Sequence, residues 1–127
     1  MQSLVGVCVL IVEDEPIVAL DLASTLEDAG ADVVGPAFSL EQAERLSDNP
    51  NIAVAVLDIR LGNRTVTPIA SKLYNRGVAI IFHTGHGAAN FTNQWPDSII
   101  LRKPARTDDL LKAVLSLLKT PESVSAI

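Results

Sequence analysis

Four short apolar runs punctuate the chain: VGVCVLIV (5–12), IAVAVL (52–57), VAIIF (78–82) and SIIL (98–101). Each is continuous rather than alternating, the pattern of strands buried on both faces of a parallel sheet. A fifth candidate, ADVVGPA (31–37), carries Gly35 and Pro36 and reads as an edge strand, because proline lacks the N–H that an interior ladder uses.

Helical spacing fills the gaps. Residues 16–29 open on Pro16, set Val18, Leu22, Leu26 and Ala29 on one stripe, and stop at Gly30. Ser39 with Gln42 makes a capping box for a short helix through Ser47. Thr67-Pro68 opens another, which Gly77 closes. Thr107, followed by Asp108 and Asp109, starts the last helix, with Leu110, Leu111, Val114, Leu117 and Leu118 as its apolar face and Lys119 suited to its C-terminal dipole. TGHGAANFTNQWPDS (84–98) lacks that periodicity and predicts a turn or two of helix at most. Strand and helix alternate five times, which predicts a doubly wound α/β sandwich with a five-stranded parallel sheet and a short or irregular fourth helix.

Composition narrows the class. A chain of 127 residues that is 48% hydrophobic reads as a single domain over 1–127, with a flexible tail at about 120–127. A net charge of −5 argues against a sequence-independent grip on nucleic acid. Cys8 is alone and sits in an apolar run, so a buried core thiol is expected. No Lys or Arg precedes the first apolar run and acids cut it short, which fits neither a signal peptide nor a membrane span. A cytoplasmic protein is the expectation.

The polar residues that follow the strands carry the chemistry. Glu13 and Asp14 follow the first, Asp58 the third, Thr84 the fourth, and Lys103-Pro104 the fifth. Parallel strands bring all of these to one rim, where ligands bind in such sheets. Carboxylates crowded there repel unless a cation relieves them; Mg²⁺ suits a few carboxylates plus retained waters. The layout fits phosphoryl transfer, with Asp58 as nucleophile and Thr84 and Lys103 as groups for the phosphoryl oxygens.

The motifs VLIVEDEP, AVLDIRLG, IIFHTGHG and LRKPA together resemble the receiver domains of two-component response regulators, over nearly the whole chain. The resemblance implies a flavodoxin-like sheet of strand order 2-1-3-4-5. It makes Asp58 the phospho-acceptor, with Thr84 and Lys103 as its catalytic companions. Glu13, Asp14, Asp58 and the backbone carbonyl of Arg60 become the Mg²⁺ ligands, and Lys103-Pro104 a cis bond. It further implies a stand-alone response regulator phosphorylated by a sensor histidine kinase or a histidine phosphotransfer protein, and a possible downstream protein partner. Neither nucleic acid nor membrane is implied as a partner, and no activity as an enzyme beyond self-catalysed phosphotransfer and hydrolysis.

The chain departs from the common receiver pattern in three places. The loop IRLGNRTVTP lacks the usual proline, the stretch from Thr84 to Lys103 is short, and Ile100 stands where many receivers carry a switch aromatic. With FHTGHG, these features resemble the FAT GUY receivers found with alphaproteobacterial stress-signalling kinases. His86 and Arg60 flank the expected route of a hydrolytic water. His83 and His86 have no third partner for a transition-metal site. Phe91 and Trp95 are expected to hold the irregular segment down, or, if exposed, to form a partner patch. A Mg²⁺-dependent phosphatase with an aspartyl nucleophile is the alternative function, although position 60 holds arginine where the haloacid-dehalogenase type needs a second acid. A nucleotide or flavin binder would need a phosphate cradle where three acids stand.

Overall fold

Every apolar run becomes a strand. The computed structural model describes residues 3–85 and 89–118. In chain order the elements are β1 (Cys8–Val12), α1 (Pro16–Asp28), β2 (Asp32–Ala37), α2 (Leu40–Leu46) and β3 (Val54–Leu57). A small hairpin follows, β4 (Arg60–Leu61) and β5 (Arg64–Thr65), then α3 (Thr67–Asn75), β6 (Ala79–Thr84), α4 (Ala89–Thr92), β7 (Ile99–Arg102) and α5 (Thr107–Leu118). The five-stranded sheet has the order β2-β1-β3-β6-β7, parallel throughout, which is the expected order with β6 and β7 as fourth and fifth strands.

Both faces of the sheet are covered, which is why the strands read as unbroken apolar runs. Leu10, Leu57, Ile80 and Phe82 face a core shared with α3, while Ile11, Val56 and Ile81 face one shared with α1 and α5. Strand β2 is the edge strand foreseen from its Gly-Pro pair. Its register with β1 slips by one residue between Leu10↔Val34 and Val12↔Ala37. Gly35 makes the slip possible: at φ 97° a Cβ there would meet the Ala37 nitrogen at 2.8 Å.

The helices follow their sequence signals to within a residue or two. Pro16 occupies the first turn of α1, and the Ser39 side chain caps α2 by accepting from Gln42 N–H at 3.1 Å. The expected stripe on α1 packs on the core and is widened: Leu22 and Leu26 are buried with Ala19 and Ala23 beside them, and Val18 and Ala29 pack half-buried on the same cluster. Ile17 and Leu20 are left in solvent.

The expected short fourth helix is the four-residue α4. Cys8 departs from expectation. It opens β1, at the end of the strand away from Glu13 and Asp14, half-buried, with burial and the Asp32 charge raising its thiol pKa. The hairpin was not foreseen; it forms because Gly62, at φ 65°, takes the first place of a two-residue turn. Lys119, the tail at 120–127 and His86 lie outside the described residues.

Candidate functional site

Parallel topology decides where the polar residues go. Glu13 and Asp14 leave the end of β1, Asp58 the end of β3 and Lys103 the end of β7, while Thr84 is the last residue of β6. Backbone bonds lock these ends together: Asp58 N–H donates to Val12 C=O at 2.9 Å, and Lys103 N–H to Thr84 C=O at 2.8 Å. One oxygen each of Glu13, Asp14 and Asp58 fits within a 4.8 Å span. Beside them opens a cleft of about 480 Å³ lined by Asp14, Asp58, Arg60, Thr84, Phe91 and Lys103, among others.

Lys103 is the hub. Its Nζ lies 3.0 Å from Asp58 Oδ2, 3.0 Å from Glu13 Oε1 and 3.3 Å from Glu15 Oε1, so one ammonium serves three carboxylates. Its pKa is raised: burial opposes the charge, but Glu13 and Asp58 outweigh it. Burial also pushes Glu13 up, yet the facing His83 N–H and the Lys103 ammonium prevail and bring its pKa down to about 2. Asp58 goes the other way, to about 6, because burial and the Glu13 charge exceed what Lys103 returns. The two carboxyls therefore split their acidities, as neighbouring acids do.

Asp14 stands apart from this network. Its Oδ2 accepts from Gly62 N–H at 2.9 Å, which ties the hairpin to the acidic pair. The hairpin in turn is held to α2 by the ion pair between Arg64 and Glu41 at 2.6 Å. Arg60 opens the hairpin, exposed, at the mouth of the cleft.

The donor set fits a hard divalent cation. It is all oxygen, it carries more negative charge than one lysine balances, and Glu13 Oε1 is buried without a hydrogen bond. His83 does not extend that set, because its Nε2 already accepts from Ala105 N–H at 3.3 Å.

The structure also assembles residues that the sequence did not single out for this site. His83 is buried against Glu13, with Nδ1 3.7 Å from Oε1. The signal was a histidine inside the apolar strand AIIFHT, since a buried polar group there needs partners. Phe91 lines the cleft and joins Phe82 and Trp95 in a triangle with ring centroids 5.1–5.8 Å apart. Trp95 is 3% exposed and Phe91 half-buried against the same core, so both anchor the segment, with Phe91 also facing the cleft.

Residues 9–115 match the response regulator receiver domain profile. The chain belongs to the response regulator receiver family. A response regulator receiver protein from Sinorhizobium medicae shares 35% identity at a TM-score of 0.78, covering 91% of this chain and 97% of that one. The phyllosphere-induced regulator PhyR of Methylorubrum extorquens is 28% identical over 76% of this chain and 38% of its own length. The transcriptional regulatory protein PdtaR of Mycobacterium tuberculosis is 27% identical over 84% and 54%. The chain thus spans between about two fifths and about half of the curated relatives it matches. Receiver domains are signalling phospho-acceptor modules. Among the described residues no helix is long and apolar enough to cross a membrane.

Proposed function

We propose that this receiver accepts a phosphoryl group on Asp58 from a phosphohistidine of a sensor histidine kinase or a histidine phosphotransfer protein, and signals by a change of conformation. The observation that carries this reading is Asp58 itself. It ends the central strand β3, shares Lys103 with Glu13 at 3.0 Å, and faces a cleft that also holds Thr84.

In the transfer, an Asp58 carboxylate oxygen forms a bond to phosphorus as the phosphorus–nitrogen bond of the donor imidazole breaks. Mg²⁺, held by Glu13, Asp14, Asp58 and the Arg60 carbonyl, would neutralise the phosphoryl oxygens. Lys103 offers its ammonium to one of those oxygens, and Thr84, at the end of β6, its hydroxyl to another. Gly85, with no side chain, leaves the approach open. Hydrolysis of the acyl phosphate by a water entering past Arg60 resets the domain.

The donor protein has a seat beside the cleft. A groove of about 650 Å³ runs between α1 and the loop after β7, lined by Ile17, Leu20, Lys103, Pro104 and Ala105, among others. Ile17 is 84% exposed and Leu20 57%, an apolar face next to the acceptor. The FHTGHG motif and Ile100 support placing the domain with the FAT GUY receivers of stress signalling. An exposed Arg60, in place of a second acid, speaks against a turnover phosphatase.

Label transfer from a phosphorylated histidine phosphotransfer protein tests the reading. The label should move to this chain only with Mg²⁺ and should be lost in alkali, as an acyl phosphate is. An alkali-stable label would instead indicate a hydroxyl ester, for example at Thr84.

A further inference from the structure

Strand β6 is apolar until its end, yet it carries His83, which is 2% exposed. Alternation along the strand turns His83 away from the face of Phe82, toward α1 and the loop after β7. Its Nε2 accepts from Ala105 N–H, which leaves the proton of the neutral ring on Nδ1. That Nδ1 faces Glu13 Oε1 at 3.7 Å, about 0.5 Å beyond hydrogen-bond range. Among the described residues, these two are the buried side-chain nitrogen and oxygen left without a hydrogen bond. The Nδ1 donor is unmet, and the oxygen it points at has the Lys103 ammonium at 3.0 Å but no hydrogen bond of its own.

Lys103 explains the gap. Its ammonium lies 3.0 Å from Glu13 Oε1 and donates to Oε2 at 3.2 Å, so the carboxylate is drawn to the cation rather than to the ring. We propose that His83 is a positioning residue that takes over Glu13 Oε1 when Lys103 turns to a phosphoryl group on Asp58. The proposal rests on Asp58 being the acceptor.

The new phosphoryl charge competes for the one ammonium that three carboxylates share. Glu13 is fully buried; Oε2 keeps the Glu15 N–H at 3.2 Å, but Oε1 has no donor of its own to replace the departing ammonium, and a buried oxygen left so is costly. A closing movement of about 0.5 Å makes the Nδ1–H bond and removes that cost. The ring's other nitrogen stays on Ala105 N–H, two residues past Lys103, so the loop keeps its place while the lysine side chain swings. His83 touches neither acceptor nor phosphoryl group; it acts through Glu13.

The test uses the full chain labelled with ¹⁵N at histidine, with His86→Gln so that the ring signals belong to His83. NMR follows the Nδ1 proton in the free protein, with Mg²⁺, and with Mg²⁺ plus beryllium fluoride as the phosphoryl analogue. The free protein should show the Nδ1–H tautomer, and the analogue should move that proton downfield and slow its exchange with water. An unmoved proton in the analogue-bound protein overturns the proposal. His83→Ala should weaken beryllium fluoride binding on the order of tenfold. Its Mg²⁺ affinity should stay within about twofold, because Lys103 still serves Glu13 before activation. His83→Asn, whose amide nitrogen takes the place of Nδ1, should recover most of the loss. Equal loss for both ligands, or no rescue by asparagine, would show a merely structural histidine and overturn it. A wild type that takes up neither beryllium fluoride nor a phosphoryl group sinks the acceptor reading. Metal-free Lys103→Met separates the two: loss of the ammonium should by itself bring Nδ1–H onto Glu13, and an unmoved proton there rejects the His83–Glu13 contact.

Discussion

Lys103 Nζ lies 3.0 Å from Asp58 Oδ2 and 3.0 Å from Glu13 Oε1, and so holds two acids that would otherwise repel. Removing one partner of such a buried group leaves charge uncompensated. Lys103→Met should therefore destabilise the metal-free protein by roughly 3 kcal/mol. Because a divalent cation can replace the lost charge, Mg²⁺ should stabilise this variant more than it stabilises the wild type. Urea unfolding with and without Mg²⁺ measures both effects; equal Mg²⁺ stabilisation in the two proteins would contradict the sharing of one charge.

The acidities predict two pH responses. Asp58 is raised from 3.8 to about 6 in the folded protein, so its contribution to stability is present below about 4 and lost as pH rises through 6. Glu13 is lowered from 4.5 to about 2, so its contribution is present above 4.5 and lost as pH falls through 2. Metal-free stability should thus fall between pH 4 and 6, and Asp58→Asn should remove that fall. Mg²⁺ needs the Asp58 carboxylate, so its affinity should drop about tenfold per unit below pH 6 and level off above it. A flat Mg²⁺ affinity from pH 5 to 7 would argue that Asp58 is not a ligand.

Asp14→Asn separates binding from folding. The amide oxygen can still accept from Gly62 N–H, so the hairpin should stay in place. The lost charge should weaken Mg²⁺ on the order of tenfold. Calorimetry at fixed salt reads the affinity and thermal unfolding the stability. A large loss of stability with unchanged affinity would make Asp14 an anchor for the hairpin and not a metal ligand.

Trp95 reports on the segment that adjoins Thr84. Ile100 pairs with Phe82 across β6 and β7 and has no ring to exchange between solvent and core. Phe91, by contrast, lines the acceptor cleft and packs on Trp95 with centroids 5.1 Å apart. Movement of Thr84 toward a phosphoryl group should disturb that triangle. Beryllium fluoride with Mg²⁺ is expected to shift tryptophan emission to the red and raise amide exchange across 89–97. No change in either would move the output surface elsewhere.

Much of this was readable from residue order. Continuous runs such as IAVAVL fixed the parallel sheet, and the acids, Thr84 and Lys103 after successive strands fixed the rim, because parallel strands must deliver them to one end. The hairpin at Arg60–Thr65 escaped because two-residue strands carry no periodicity, leaving only Gly62 as a signal. The Glu13–His83 contact escaped because it joins residues 70 positions apart in sequence. Period two puts His83 on the α1/α5 face, but only the fold shows what it meets there. Ala19 and Ala23 are buried more deeply on α1 than Val18 because small side chains let the helix pack closest to the sheet, a preference that periodicity alone does not carry.

The central claim is that Asp58 alone carries the phosphoryl group. Intact mass after incubation with a small phosphodonor and Mg²⁺ tests it most directly, in wild type and in Asp58→Asn. The wild type should gain the mass of one phosphoryl group, reversed by alkali, and the variant should gain none. A gain that persists in Asp58→Asn, or its absence in a wild type that binds Mg²⁺, would contradict the claim.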